Sequence, residues 1–219
     1  MLVSSRRPFV IVLVLAAVLA GCGRVPGVYV YESDSGGAPG GAASATDAKT
    51  YVADAWASKI VPTVHDKAVD ITTVAAAVAK DPEAAGKQYG HQAGTGSPYA
   101  FMVKGSGTVT KVDTSVPTGP MTVEIPQAGG KPLTVTIATG PVIAGTAIRD
   151  AVGFISFGDF TNQIEYANVA NEINARVKTE VIAKADVKAA TGKKVTFAGA
   201  FSNLPGGSIL VVPTELEVG

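Results

Sequence analysis

"PMTVEIPQAGGKPLTVTIA", residues 120–138, is two alternating runs joined by a turn. Met121, Val123 and Ile125 alternate with Thr122 and Glu124, and Leu133, Val135 and Ile137 alternate with Thr134 and Thr136. A period of two in β-branched residues puts one face of each run in a core and the other toward solvent, as strands do. Residues 127–131, Gln-Ala-Gly-Gly-Lys, form the turn, so the pair reads as a hairpin. Residues 108–112 read as a strand ahead of it, and residues 195–201 and 209–218 as two more near the C-terminus. Pro213 cannot donate to a ladder, so the last strand should lie at an edge or carry a bulge there.

Between the third and fourth strands, Tyr166, Ala170, Ile173, Val177 and Val181 recur every three or four residues. That is the apolar stripe of one long helix, about 161–183. Glu172 stands four before Arg176 and Glu180 four before Lys184, surface pairs adding about 0.2–0.5 kcal/mol each. Upstream, Asp47 is a helix cap, and residues 48–60 put Tyr51, Ala55, Trp56 and Ile60 on one side. Tyr51 and Trp56 read as docking anchors. Pro62 should end or kink that helix. Asp70 caps a second helix over 71–80, Asp81-Pro82 opens a short third one, and Gly90 closes it. Gly105-Ser-Gly107 lacks the third glycine of a dinucleotide loop and reads as a turn leading into a strand.

Three strands, a helix, then two strands is the order of an OB-type barrel. The expected fold is α+β: an OB-like antiparallel β-barrel with a long helix between strands 3 and 4 and an N-terminal helical appendage. The alternative is an open antiparallel sheet covered by helices. Residues 47–219 are expected as a single globular domain, with 47–90 its helical part and 101–219 the barrel. No internal repeat is visible.

The N-terminus carries a different message. Arg6 and Arg7 precede an uncharged apolar run from Phe9 to Ala20, followed by Gly21 and Cys22, the only cysteine in 219 residues. A basic region, an apolar core and a small-residue cut site make an export signal, and the run is too short to span a bilayer, which takes about 20 apolar residues. Leu19-Ala20-Gly21-Cys22 resembles the bacterial lipobox. That resemblance implies removal of residues 1–21 and acylation of Cys22, with residues 22–46 as the acylated cysteine and a Gly/Ala/Ser-rich tether. The alternative is an ordinary secreted protein with a chance cysteine at the cut. Ser5-Arg6-Arg7-Pro8-Phe9 also resembles a twin-arginine motif, but the strongly apolar run favours export of the unfolded chain.

Removing residues 1–21 leaves 198 residues, enough for one domain with a real core. The full chain balances 18 basic against 18 acidic side chains; the mature one has 16 against 18, net −2. A nucleic-acid binder needs a basic surplus to neutralise phosphates, so nucleic acid is excluded as a partner. With Cys22 acylated no disulfide can form, and stability must come from burial.

The most distinctive stretch is residues 140–167. Gly140-Pro-Val-Ile-Ala-Gly-Thr-Ala-Ile-Arg-Asp150, then Phe154-Ile-Ser-Phe-Gly-Asp-Phe-Thr-Asn-Gln-Ile-Glu-Tyr-Ala167, are similar to an uncharacterised family of predicted periplasmic lipoproteins. Gly192-Lys-Lys-Val-Thr-Phe-Ala-Gly-Ala-Phe201 and Val212-Pro-Thr-Glu-Leu-Glu-Val218 share the likeness, which covers most of residues 48–218. The resemblance implies an exported lipoprotein, often encoded near sugar-type ABC uptake systems. It implies no established activity and supplies no catalytic residues.

Read from its chemistry, the same stretch is polar for a core element. Asn162, Asn168, Asn171 and Asn174 fall within one helix, where asparagine loses up to about 0.7 kcal/mol against alanine. As a binding face, Arg149, Asp150, Asp159, Asn162 and Gln163 would hydrogen-bond hydroxyls while Phe157 and Phe160 stack on sugar rings. As scaffold, Asp159 or Thr161 caps the helix, Arg149 and Asp150 pair locally, and the phenylalanines fill core. Asp159, Glu165 and Glu172 could supply a carboxylate pair for glycoside hydrolysis only if two of them converge. His65 and His91, the only histidines, have no ligand companions at metal spacing, so no metal or cofactor is expected. No Gly-x-Ser-x-Gly occurs.

The sequence therefore describes a lipid-anchored, non-enzymatic protein on the periplasmic or extracytoplasmic face of a bacterial membrane. Its expected partners are the membrane, through the anchor, and a sugar or a transporter component. The alternatives are an envelope glycan hydrolase, or an assembly factor gripping a protein through the helical appendage.

Overall fold

The computed structural model describes residues 47–203 and 208–219. The export signal, Cys22 and the tether lie outside the described residues.

Three aspartates start the N-terminal helices as expected. The Asp47 carboxylate accepts from the Thr50 N–H at the head of α1 (Ala48–Ala55). The helix continues through a π turn (Trp56–Ile60) into α2 (Val61–Lys67). Pro62 was expected to end or kink this helix; the chain stays helical. The Val61 N–H reaches back to the Trp56 carbonyl, one residue further than in an α-helix. That wider turn accommodates a residue that cannot donate and whose ring would crowd the preceding turn. After β1 (Val69–Asp70), Asp70 caps α3 (Ile71–Lys80) and Asp81 caps α4 (Pro82–Tyr89), which Gly90 closes.

The strands follow: β2 (Gly90–Gln92), β3 (Tyr99–Val112), β4 (Pro120–Ile125) and β5 (Leu133–Ala138). Next come α5 (Ala147–Ala151) and α6 (Gln163–Arg176), then β6 (Lys194–Ser202) and β7 (Leu210–Val218). β3, β4, β5, β7 and β6 neighbour one another in that order, and β6 pairs back onto β3, closing a five-stranded barrel. β5 and β7 run parallel, and the other ring pairs are antiparallel. This is the OB arrangement; the open-sheet alternative is excluded by the β3–β6 seam, which runs from Ala100↔Ser202 to Thr108↔Lys194.

β3 is longer than the expected strand because Gly105-Ser-Gly107 is not a turn but the middle of it. A Cβ at Gly107 would stand 2.5 Å from the Glu124 carbonyl oxygen, and one at Gly105 2.9 Å from Ile71 Cγ2. Bare backbone lets β3 bend there, passing from β6 along its first half to β4 along its second. Pro213 sits at the other irregularity. Ala198 faces Glu215 and Gly199 faces Pro213, so Thr214 is the extra residue of a bulge within the ring, not an edge.

Alternation breaks down in β6, where Phe197 to Phe201 are buried in succession. One face lines the barrel, and α2 and α5 cover the other. Phe101 and Phe201 stack across the seam with ring centroids 5.1 Å apart. The long helix runs shorter than expected as regular α structure, passing at Val177 into a π turn (Val177–Val181). Arg176 pairs with Glu180 across the start of that turn, rather than Glu172 with Arg176 and Glu180 with Lys184.

Candidate functional site

The residues expected to form a binding face are found at the N-terminal end of α6, engaged in holding the scaffold. Arg149 is 8% exposed. Its guanidinium donates to Asp150 Oδ1 at 2.8 Å and to the Tyr166 carbonyl at 3.1 Å, and lies 3.9 Å over the centre of the Tyr166 ring. The second Asp150 oxygen accepts from the Thr146 hydroxyl. Burial pushes the Tyr166 hydroxyl pKa up, against the lowering influence of Arg149. Asp159 accepts from the Ser156 N–H and closes a 3-10 turn (Phe157–Asp159), so it does not cap α6; Thr161 does not either. The cap is Asn162, whose side-chain oxygen accepts from the Ile164 and Glu165 N–H groups at 2.9 and 3.0 Å. Asn162→Ala should cost about 1 kcal/mol, read as a lowered urea midpoint at unchanged slope.

Phe160 is buried, edge-on to Tyr51 at 5.2 Å. Of the aromatic and amide candidates, Phe157 and Gln163 are exposed, as is Asn162, which caps the helix. Asn174 is buried and donates to the Gly145 carbonyl at 3.0 Å. Two of the four asparagines thus have structural work, one capping α6 and one tying it to the loop before α5.

A groove of about 650 Å³ lies elsewhere, on the outer face of β3, β6 and β7. Strand register builds its floor. One row runs Asp70, Lys104, Ala198, Glu215; the next runs Ser106, Thr196, Glu217. Small residues on the central strand leave room, and charged ones stand at the rim. His65 of α2 closes one side, its Nδ1 3.0 Å from Glu215. Glu180 and Lys184, beyond α6, close another. None of the seven binding-face residues lines this groove. Glu215 and Glu217 alternate with Leu216 and Val218 along the chain, but nothing local shows that Lys104 and Asp70 share their rows. A second groove of about 400 Å³, lined mainly by aliphatic residues such as Val112, Val116, Ile182 and Val187, lies beside the β3–β4 loop.

The polar groove can bind hydroxyls and ammonium groups through its carboxylates, and acceptors through Lys104 and Lys184. Its carboxylates are solvated rather than buried; Glu180 and Glu215 keep 33% and 38% of their side-chain surface. Two of the three acids considered for glycoside hydrolysis are occupied, Asp159 by its turn and Glu165 by the Ala48 N–H at 3.3 Å, and none of the three, Glu172 included, is buried. His91 lies in β2, partly buried, with Nδ1 2.6 Å from the Asp150 carbonyl. Nδ1 must donate in that bond, so the ring buttresses α5. No cluster of three metal-ligating side chains occurs among the described residues, and none of their helices is long and apolar enough to cross a membrane.

Among solved structures, an OB-fold protein from Thermotoga maritima is similar over 80% of this chain and 99% of its own, at 22% identity and a TM-score of 0.66. That likeness agrees with the barrel and carries the fold alone. No curated protein matches the chain. The family model described as predicted periplasmic lipoprotein (DUF2291) matches residues 12–217, spanning both the cysteine segment and the barrel. The chain therefore belongs to the family of predicted periplasmic lipoproteins (DUF2291), which puts it on the periplasmic side of a membrane, held by lipid.

Proposed function

We propose that this lipoprotein is a non-enzymatic binding component of the cell envelope, moored through acylated Cys22. Its groove would take a small hydroxyl-rich solute of the sugar class for a transport component. The observation that carries this reading is the groove itself. Its volume of about 650 Å³ fits a small solute, and its polar rows offer both donors and acceptors. Solvated carboxylates suit reversible hydrogen bonding better than acid catalysis, which needs a pKa raised by burial. The hydrolase alternative lacks a buried pair. The assembly-factor alternative needs an exposed apolar patch over residues 48–80, and the large exposed apolar residues among those described all lie outside that segment.

A thermal-shift screen of the purified protein against mono- and disaccharides tests it. A ligand at a hundred times its dissociation constant adds about 2.7 kcal/mol of stability. Thr196 is exposed on the groove floor, so Thr196→Trp should fill the groove and abolish the shift without lowering the melting temperature of the free protein. No shift with any sugar, or a shift that survives Thr196→Trp, sinks the reading.

A further inference from the structure

We infer that the end of the domain bearing Phe157 and Ile164 rests directly on the phospholipid surface, as a second membrane contact besides the acyl anchor. Among the described residues these are the two most exposed large apolar side chains, Ile164 at 71% and Phe157 at 51%. Solitary exposed apolar residues are ordinary on any protein. What distinguishes this pair is its place. Ile164 is in the first turn of α6, and Phe157 lies edge-on to Tyr166 of the same helix, ring centroids 5.8 Å apart.

The chain coming from Cys22 arrives at this same end. The Ala48 N–H donates to Glu165, the neighbour of Ile164, and Tyr51 meets Phe160 edge-on. Twenty-four residues separate Cys22 from Asp47, so covalent geometry alone keeps the domain within about 80 Å of the anchored sulfur. Tethering at such a distance turns a weak contact into an intramolecular one, at a local concentration on the order of millimolar. Two apolar side chains, too few to bind a membrane from free solution, then suffice to set the domain's orientation.

Charge selects the lipid. Asp159 shares the turn that carries Phe157 and Glu165 follows Ile164 in the chain, and with burial Asp159 helps push the Tyr51 hydroxyl pKa up. A like-charged surface is disfavoured, so the partner is a zwitterionic phospholipid face rather than an anionic one.

The test uses the full, acylated protein reconstituted into phosphatidylcholine vesicles with a fraction of brominated acyl chains. Phe157→Trp and Ile164→Trp are prepared separately, either sufficing if the other folds poorly. Val116→Trp, on the β3–β4 loop, is the comparison. Trp56 is buried and contributes a constant background. Brominated lipid should quench the new tryptophan at 157 or 164 at least twofold and leave that at 116 unchanged. Exchanging phosphatidylcholine for phosphatidylglycerol should weaken the quenching. Vesicle flotation separates the two ways of failing. Protein that does not float overturns the anchor and this contact with it. Protein that floats with no quenching, or with equal quenching at all three positions, overturns the contact and leaves the anchor standing.

Discussion

Arg149→Ala should destabilise the domain by about 3–5 kcal/mol, the cost of removing one partner from a buried ion pair. The two side chains keep only 9% and 13% of their surface. Losing the guanidinium leaves Asp150 Oδ1 without a partner while Oδ2 keeps Thr146, and it strips the Tyr166 carbonyl of its side-chain donor and the Tyr166 ring of its cation. Together these contacts hold α5 against α6. Chemical denaturation should show a lowered midpoint at constant slope. Arg149→Lys keeps the charge but not the fork that serves Asp150 and Tyr166 at once, so it should fall between wild type and alanine. The opposite pattern, stability changed by less than about 1 kcal/mol as for a solvated pair, would return Arg149 to the role of a ligand-binding residue.

Phe101→Ala should cost a similar amount, about 3–5 kcal/mol. Phe101 is fully buried and pairs in register with Phe201, their rings stacked 20° from parallel. Deleting one ring removes its transfer free energy, opens a cavity, and forfeits a stacking contribution of about 0.5–1.5 kcal/mol. The position matters beyond volume, because this pair lies in the β3–β6 seam that makes a sheet into a barrel. Equilibrium unfolding in urea measures the loss; a cost below about 1.5 kcal/mol would mean that the seam is not where the core is consolidated. Phe201→Leu, which keeps much of the volume, should cost clearly less.

Much of this architecture is legible in local patterns. The hairpin of residues 120–138 alternates with period two, and β4 and β5 pair from Met121↔Ile137 to Ile125↔Leu133 as that alternation requires. Asp47, Asp70 and Asp81 cap helices because a short carboxylate meets free N–H groups only there. Where neighbouring residues in the chain do not suffice, the reading goes astray. Gly105 and Gly107 look like a turn, since glycine's usual local meaning is punctuation; they are bare because Ile71 and Glu124, remote in the chain, press against them. Arg149 and Asp150 read equally as ligand binders or as a local pair; they do pair, but nothing nearby announces that Tyr166 buries them. Asn162 reads as a ligand candidate although it is a cap, because a Thr-Asn-Gln sequence offers several starts for one helix.

What the sequence determined alone is the order of the main elements, three strands, a helix and two strands behind capped helices, though not the short β1, β2 and α5, together with the lipobox cysteine that the family match accompanies. Those are encoded in periods of two and 3.6 residues and in caps, all properties of neighbours along the chain. Tertiary structure alone decided that the sheet closes, that Arg149 is buried, and that Asp70, Lys104 and Glu215 stand in one row of a groove. Each depends on the register between strands far apart in sequence. A strand's own pattern states which residues share a face, but not which residues of another strand they will meet.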